Sequence, residues 1–78
     1  MANNTYDMVM SGKSDSNIRF SDFRNLIISY GFEERIKGDH FIYKSNNIIE
    51  RIVIQTLVNK AKAYQVKQVR ALFNKYGL

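Results

Sequence analysis

The chain has 78 residues, of which 45% are hydrophobic, and it contains five Phe and five Tyr but no Cys. This length predicts one small domain, the hydrophobic content argues against global disorder, and the lack of Cys excludes disulfide bonds and zinc–thiolate sites. The formal net charge is +5, and the cationic residues beyond Glu50 have no acidic residue among them, which suits a polyanionic partner such as a nucleic acid.

Residues 1–17 are polar and rich in small side chains, and they show no apolar period. We therefore interpret them as a flexible N-terminal leader and assign the domain to residues 18–78. The Gly12-Lys13-Ser14 sequence is not a phosphate-binding loop, because Asp7 stands where that motif needs a Gly. Since no membrane-spanning run or secretory signal is visible, we expect a soluble protein of the cytoplasm with no cofactor and no membrane partner.

Two helices are predicted, one near each end of the domain. The first spans about residues 22–30, where apolar side chains recur every three or four positions, with Ser21 as N-cap and Gly31 as a left-handed stop. The second spans about residues 64–76, is amphipathic and basic, and ends at Gly77.

Three antiparallel strands are predicted between the helices, at residues 32–37, 41–44 and 48–55. The first shows period-two alternation, and the third is rich in β-branched side chains. Gly-Asp at positions 38–39 has the composition of a two-residue hairpin turn, and a Ser-Asn-Asn turn separates the second strand from the third. Residues 56–62 are interpreted as a polar connection to the last helix.

The order α-β-β-β-α predicts an α+β fold in which both helices cover one face of a three-stranded antiparallel sheet. Alternation along the second strand places His40, Ile42 and Lys44 on one face of the sheet, and Phe41 and Tyr43 on the other. Ile42 favours burial of the first face and the two aromatic residues favour burial of the second. We expect the aromatic residues to be buried and His40 and Lys44 to lie on the open face.

His40 is the only histidine, and it follows the predicted hairpin turn directly. A lone His without Cys cannot form a zinc site by itself, and the nearby carboxylates do not repeat at ligand spacing, so no metal is expected. An imidazole can act as base or acid near neutral pH, which suits RNA cleavage, where the 2′-hydroxyl loses a proton and the 5′-oxygen gains one. The alternative is a surface histidine with no role.

Cationic side chains around the turn are candidates for phosphate binding. Lys37, Arg35 and Lys44 flank it, and Gly38 lets a phosphate approach the backbone closely. The alternative is an ordinary hairpin, in which Gly turns beside Lys are common.

The last part of the chain offers further candidates for RNA binding. Four cations in it are expected to guide RNA electrostatically: Lys60, Lys62, Lys67 and Arg70. Phe41, Tyr43 and Tyr64 are aromatic residues that could stack on bases, although such residues more often belong to the core.

Three short motifs resemble the HicA family of type II toxins. A helix ends in Gly-Phe at positions 31–32, Lys-Gly-Asp-His at positions 37–40 precedes an aromatic-rich strand, and the last helix closes with Tyr-Gly-Leu at positions 76–78. The resemblance covers about residues 18–78. It implies a double-stranded-RNA-binding-like fold, mRNA interferase activity with His40 as the essential histidine and Gly38 as its glycine, and a HicB-type antitoxin as the partner that covers His40.

The chain departs from the family pattern at two positions beside the histidine. Asp39 stands where many members have Ser, and Phe41 stands where they have a second His. Asp39 thus puts a negative charge next to the expected phosphate site.

From these patterns we predict a metal-independent RNA endonuclease in which His40 moves a proton and Lys37 and Lys44 hold the phosphate. The second proton-transfer role is open between water, Tyr43 and a histidine of another subunit. Two alternatives are a module that binds double-stranded RNA without cutting it, and an interaction protein whose basic helix docks on an acidic partner.

Overall fold

The computed structural model describes residues 4–57 and 59–78 of the chain. The helices are α1 (Asn4–Ser11), α2 (Phe20–Ser29) and α3 (Ala63–Tyr76), and the strands are β1 (Glu33–Lys37), β2 (His40–Ser45), β3 (Ile48–Ile54), β4 (Thr56–Leu57) and β5 (Lys60–Ala61). Strands β1, β2 and β3 form an antiparallel sheet in that order, and β4 pairs with β5 in a separate hairpin. The predicted α+β class and three-stranded antiparallel sheet are therefore confirmed, and apart from the β4–β5 hairpin the elements from α2 to α3 are compatible with the predicted α-β-β-β-α layout.

One face of the sheet carries the core. Tyr43 and its partner Ile52 point to this face, as does Ile54, and all three are buried in one cluster with side chains of α2 and α3. The helical members of the cluster include Phe20, Phe23, Leu26, Ile27, Val66, Val69 and Phe73. The opposite face is open, because Val53 is 44% exposed on it and Ile49 is 93% exposed. Both helices thus lie on one face, as the sequence predicts.

The core side also contains one ionic network. Arg24 of α2 donates two hydrogen bonds to the Glu34 carboxylate, at 2.8 and 2.7 Å, and the Tyr43 hydroxyl donates a third at 2.7 Å. The hydrogen bonds from Arg24, with a smaller contribution from Tyr43, hold the pKa of Glu34 below its usual value, although its burial acts in the opposite direction. Burial, together with the bond to Glu34, raises the pKa of Tyr43. The network fastens α2 to β1 and β2.

Helix α1 lies within the segment that the sequence led us to interpret as a leader. Its Val9 is fully buried in the core, and the Tyr6 hydroxyl donates to a backbone oxygen of Leu78 at 2.9 Å. Asp15 accepts two hydrogen bonds from Arg70 of α3, at 2.9 and 3.1 Å. Two helical turns are too short to show a clear apolar period, so the sequence pattern does not predict this helix. The core therefore begins before Ile18.

The β4–β5 hairpin also differs from the predicted polar connection at residues 56–62. Two-residue strands have no measurable alternation, and their pairing depends on distant backbone. The Ala61 N–H donates to the Ile18 carbonyl at 2.9 Å, and the Phe20 N–H donates to the Asn59 carbonyl at 2.9 Å. These bonds make α2 start at Phe20, so Ser21 is not its N-cap as predicted.

Candidate functional site

His40 is the first residue of β2 and lies directly opposite Lys37 of β1. Gly38 and Asp39 form the turn between them, and Gly38 adopts the left-handed conformation with φ of 62° that only Gly adopts without strain. Facing residues of an antiparallel pair have Cβ atoms about 4.5–5.5 Å apart and share a sheet face. The turn therefore places the side chains of Lys37 and His40 side by side on the open face, and half of the His40 side-chain surface is exposed.

Both ring nitrogens of His40 have partners. Asp39 Oδ1 lies 3.2 Å from Nδ1, and Gln55 Nε2 lies 3.1 Å from Nε2. On the far side of the Gln55 amide, Lys62 Nζ lies 3.4 Å from Oε1. The result is a chain of polar contacts from Asp39 through His40 and Gln55 to Lys62.

The donors and acceptors in this chain fix the tautomer of the neutral imidazole. Lys62 can only donate, so the Gln55 atom facing it is assigned as the amide oxygen, and the amide nitrogen faces His40. An amide nitrogen can only donate, so His40 Nε2 must be the acceptor. The Asp39 carboxylate can only accept, so the ring proton belongs on Nδ1. In this tautomer, Nε2 carries the lone pair of the ring and accepts from the Gln55 amide.

Gln55 is held in turn by Gln65, which is buried in the first turn of α3 at 2% exposure. In the amide orientation that satisfies both groups, Gln65 Nε2 donates to the Gln55 carbonyl at 3.2 Å. Its Oε1 accepts from the Gln55 N–H at 3.0 Å. The Gln65 amide thus makes the two backbone hydrogen bonds that a neighbouring strand would otherwise make with Gln55. These bonds hold the first turn of α3 close to Gln55 and therefore near His40.

Cations line a shallow concavity of about 450 Å³ on the open face of the sheet. Arg35, Lys37, Lys44 and Arg51 contribute to its wall, and Glu33 is one of its acidic members. His40 does not line the concavity but lies next to it, opposite Lys37. The concavity can hold a polyanion along the sheet, leading to the histidine.

The two lysines that we expected to hold one phosphate lie apart. Lys37 faces His40 directly, whereas Lys44 faces Glu33 at the other end of β1. Lys44 is four positions after His40 along β2, which corresponds to about 13 Å. Of the two lysines, only Lys37 is thus placed beside the histidine, and Lys44 lies at the other end of the strand pair.

The predicted row of C-terminal cations is divided in the folded protein. Lys62 reaches the histidine site through Gln55, and Lys60 lies two residues earlier on β5. Arg70 instead binds the Asp15 carboxylate, and its hydrogen bonds with a smaller charge effect from Lys67 lower the pKa of Asp15. The structure thus brings Lys60 and Lys62, but not Lys67 and Arg70, to the side of His40.

The aromatic candidates also separate. Tyr43 is fully buried on the core face and bonded to Glu34, so it cannot share the proton transfer with His40. Phe41 is partly buried, with its ring in edge contact with Phe20 at 4.9 Å and beneath the Arg24 guanidinium at 5.1 Å. Tyr64, in the first turn of α3, is 55% exposed and is the candidate that remains accessible for stacking.

Sequence reasoning missed Gln55 and Gln65 and treated Asp39 as an unfavourable charge. Asp39 also contacts the histidine ring, where a carboxylate supports the Nδ1–H tautomer. Gln55 follows Ile54, which pairs with Phe41, so the register itself places Gln55 beside His40. Predicting this contact requires the pairing register of β2 and β3, which the sequence pattern did not reveal.

Among residues 4–57 and 59–78, no group of three or more His, Asp or Glu side chains is placed to hold a metal ion. No helix in this part of the chain is long and apolar enough to cross a membrane. Comparison of the chain with protein families, with curated proteins and with solved structures found no match.

Proposed function

We propose that this protein is an RNA endonuclease, the toxin of a type II toxin–antitoxin pair, and that His40 is its catalytic residue. The observation that carries the proposal is the position of His40 on the open face of the sheet, with Asp39 at Nδ1, Gln55 at Nε2 and Lys37 directly opposite. The resemblance to the HicA family supports the toxin class. It also implies a double-stranded-RNA-binding-like fold, action on mRNA in the cytoplasm and a HicB-type antitoxin that covers His40.

The chemistry proposed for His40 is the transfer of the 2′-hydroxyl proton of RNA. As Nε2 takes this proton, the 2′-oxygen attacks the neighbouring phosphorus, the O2′–P bond forms and the P–O5′ bond breaks. The 5′-oxygen leaves with a proton from water or from a histidine of another subunit. The products are a 2′,3′-cyclic phosphate and a 5′-hydroxyl end, and no electrons are transferred.

The neighbours of His40 supply the rest of the proposed site. Gln55 donates to Nε2 in the absence of RNA, and the substrate hydroxyl takes its place as the donor. Asp39 stabilises the positive charge that forms on the ring. Lys37 lies where it can bind the phosphate as negative charge increases on its oxygens.

The proposed activity is tested by cleavage of a labelled RNA in excess EDTA. We expect the wild-type protein to cut it and to leave cyclic phosphate ends, and a 2′-deoxy substitution at the cleaved nucleotide to prevent the reaction. His40→Ala should lower the rate at least 100-fold, because proton transfer by a positioned side chain contributes about 10²–10⁴-fold.

The matched control is Gln68→Ala, since Gln68 is exposed on α3 and should leave the rate unchanged. Cleavage that persists in folded His40→Ala protein would refute the assignment. RNA binding without cleavage by the wild-type protein would indicate instead the alternative function, a double-stranded-RNA-binding module.

A further inference from the structure

We infer that the RNA cut at His40 continues over the end of the sheet along Lys62, Lys60 and Arg19, and that it is single-stranded there. This inference rests on the proposed function and names its substrate class. The three cations are defined here as the cationic row. Arg19 belongs to the row only through tertiary structure, because it is 41 positions from Lys60 in the sequence.

The geometry of β5 points the two lysines of the row outward. Ala61 is buried at 4% exposure, so its neighbours Lys60 and Lys62 point to the opposite side of the strand. Their Cα atoms are about 6.6 Å apart, because a strand rises about 3.3 Å per residue. The two ammonium groups thus follow one another on the same surface.

Arg19 extends the row across the strand. It forms an antiparallel bridge with Lys60, and bridge partners share a face with Cβ atoms about 4.5–5.5 Å apart. Ile18 and Phe20 on either side of Arg19 are buried, which confirms that Arg19 points outward. The row therefore has three cations at successive positions.

One end of the row is at the histidine. Lys62 Nζ contacts Gln55, whose amide contacts His40 Nε2. A phosphate next to the cleaved one can therefore reach Lys62 without leaving the protein surface.

The other end of the row opens into a concavity of about 650 Å³ on the helix-covered side. Arg19 and Lys60 line it together with Arg24 and Phe41, and no acidic residue is among the described residues of its wall. Phe41 points away from the open face because it is next to His40 in the strand. The row thus passes from one face of the sheet to the other, around its end.

The charges of the row are free to bind phosphate. Lys60 contacts the neutral Asn17 side chain at 3.4 Å, and Lys62 contacts the neutral Gln55. Within residues 4–57 and 59–78, the Lys and Arg side chains that form ion pairs with carboxylates are Arg24, Arg70 and Lys75. None of them belongs to the row.

The path around the sheet end requires a flexible substrate. The molecule measures 30 × 29 × 24 Å, so a substrate on this path must reverse its direction within a few tens of ångströms. A nucleic-acid duplex has a persistence length of about 500 Å and cannot follow such a turn, whereas a single strand can track a charged groove. The geometry therefore selects single-stranded RNA.

The inference is tested by RNA binding to His40→Ala protein, in which cleavage cannot interfere. We would measure fluorescence anisotropy with a labelled single-stranded RNA 12-mer and with the corresponding duplex, over a series of salt concentrations. Replacing Arg19, Lys60 and Lys62 together by Gln should weaken single-strand binding at least tenfold. It should also reduce the slope of log K against log salt by about 2, since each phosphate contact to a single strand contributes about 0.7. Duplex binding should be weaker and unchanged by the triple substitution.

Two controls separate the row from general charge and from unfolding. Lys13→Gln removes one exposed charge from the N-terminal segment, outside the row, and should leave both binding and slope unchanged. A variant that keeps the charges, with Arg19→Lys, Lys60→Arg and Lys62→Arg, should bind as the parent does.

Single-strand binding that survives the triple Gln substitution would overturn the inference, as would a duplex that binds more tightly than the single strand. Loss of single-strand binding in the triple variant, combined with no cleavage by the wild-type protein, would leave the row in place and refute the proposed activity. His40-dependent cleavage by the wild-type protein, combined with unchanged single-strand binding in the triple variant, would support the proposed activity and refute the cationic row.

Discussion

Gln55 links His40 to the interior of the protein. Its side chain lies between the imidazole and Lys62, and its backbone is held by the buried amide of Gln65. The imidazole itself is half exposed and has the freedom of a surface side chain, so its orientation depends on these contacts. Gln55 therefore acts as a positioning residue for the proposed reaction.

At the residue scale, we predict that Gln55→Ala loosens the His40 ring without removing any reacting group. The neutral ring should change from the Nδ1–H tautomer to a mixture, because Nε2 loses its donor. Nitrogen-15 NMR of the imidazole reports this change directly. The ratio kcat/KM for RNA cleavage should fall about 5- to 10-fold with kcat little changed, because Gln55 orders the ring in the free protein before the substrate hydroxyl replaces it at Nε2, and such a hydrogen bond contributes about 1 kcal/mol.

Gln68→Ala again serves as the control for this experiment and should preserve the wild-type imidazole spectrum. An Nε2–H tautomer in the wild-type protein would contradict the contact pattern around His40. A fall in cleavage with an unaltered spectrum would show that Gln55 does not act through the ring.

At the scale of elements, α1 is part of the core. The Tyr6 ring stacks at 5.8 Å from Tyr30 and 6.3 Å from Phe73, and Val9 fills the space between α1 and the rest of the cluster. The bond from Tyr6 to Leu78 and the pair of Asp15 with Arg70 fasten this segment to α3 and the C-terminus. The segment before Ile18 therefore contributes to the stability of the domain.

We predict that Val9→Ala lowers the free energy of unfolding by about 2 kcal/mol, because it removes buried methyl groups and leaves a cavity. Asp7→Ala, at an exposed position of the same helix, should change it by less than about 0.5 kcal/mol. Urea unfolding followed by circular dichroism measures both. Equal stability of the Val9→Ala and Asp7→Ala proteins would show that α1 does not support the fold.

At the scale of the whole molecule, ion pairs decide where the positive charge remains. Glu34 forms an ion pair with Arg24, Asp15 with Arg70, and Glu50 with Lys75. These pairs lie on the core side and along α3. Among the described residues, most of the other cations therefore lie on the open face and at the end of the sheet near His40, with Lys13 and Lys67 as exceptions.

The same three carboxylates predict loss of stability in acid. Hydrogen bonds from Arg24 and Arg70 lower the pKa of Glu34 and Asp15, and those from Lys75 and Tyr76 lower the pKa of Glu50 to about 2. Each folded-state pKa lies below its unfolded value of about 4. The stabilisation is therefore complete above about pH 4 and is lost as the pH falls through the folded-state values.

Urea unfolding between pH 7 and pH 2 measures this loss. Glu50→Gln removes one of the titrating groups and should make the decline below pH 4 shallower. Stability that stays constant down to pH 2 would show that the three ion pairs do not contribute.

Local patterns in the sequence were enough to predict much of the fold. Alternation along β2 placed His40 and Lys44 on the open face and Tyr43 in the core, and the Gly38-Asp39 turn placed Lys37 opposite His40. These features depend on neighbouring residues, so they follow from backbone geometry alone.

The sequence by itself therefore determined the order from α2 to β3, the two faces of the sheet and the approach of Lys37 to His40. Only the tertiary structure decided which residue meets His40 from β3. The turn between β2 and β3 pairs Ser45 with Ile48. If this register continued along both strands, His40 would lie opposite Val53. A bulge between Tyr43 and Ser45 shifts the pairing by two residues and brings Gln55 there instead. Pairing between distant segments likewise joined Arg70 to Asp15 and Arg19 to Lys60, because such contacts depend on packing in space rather than on sequence spacing.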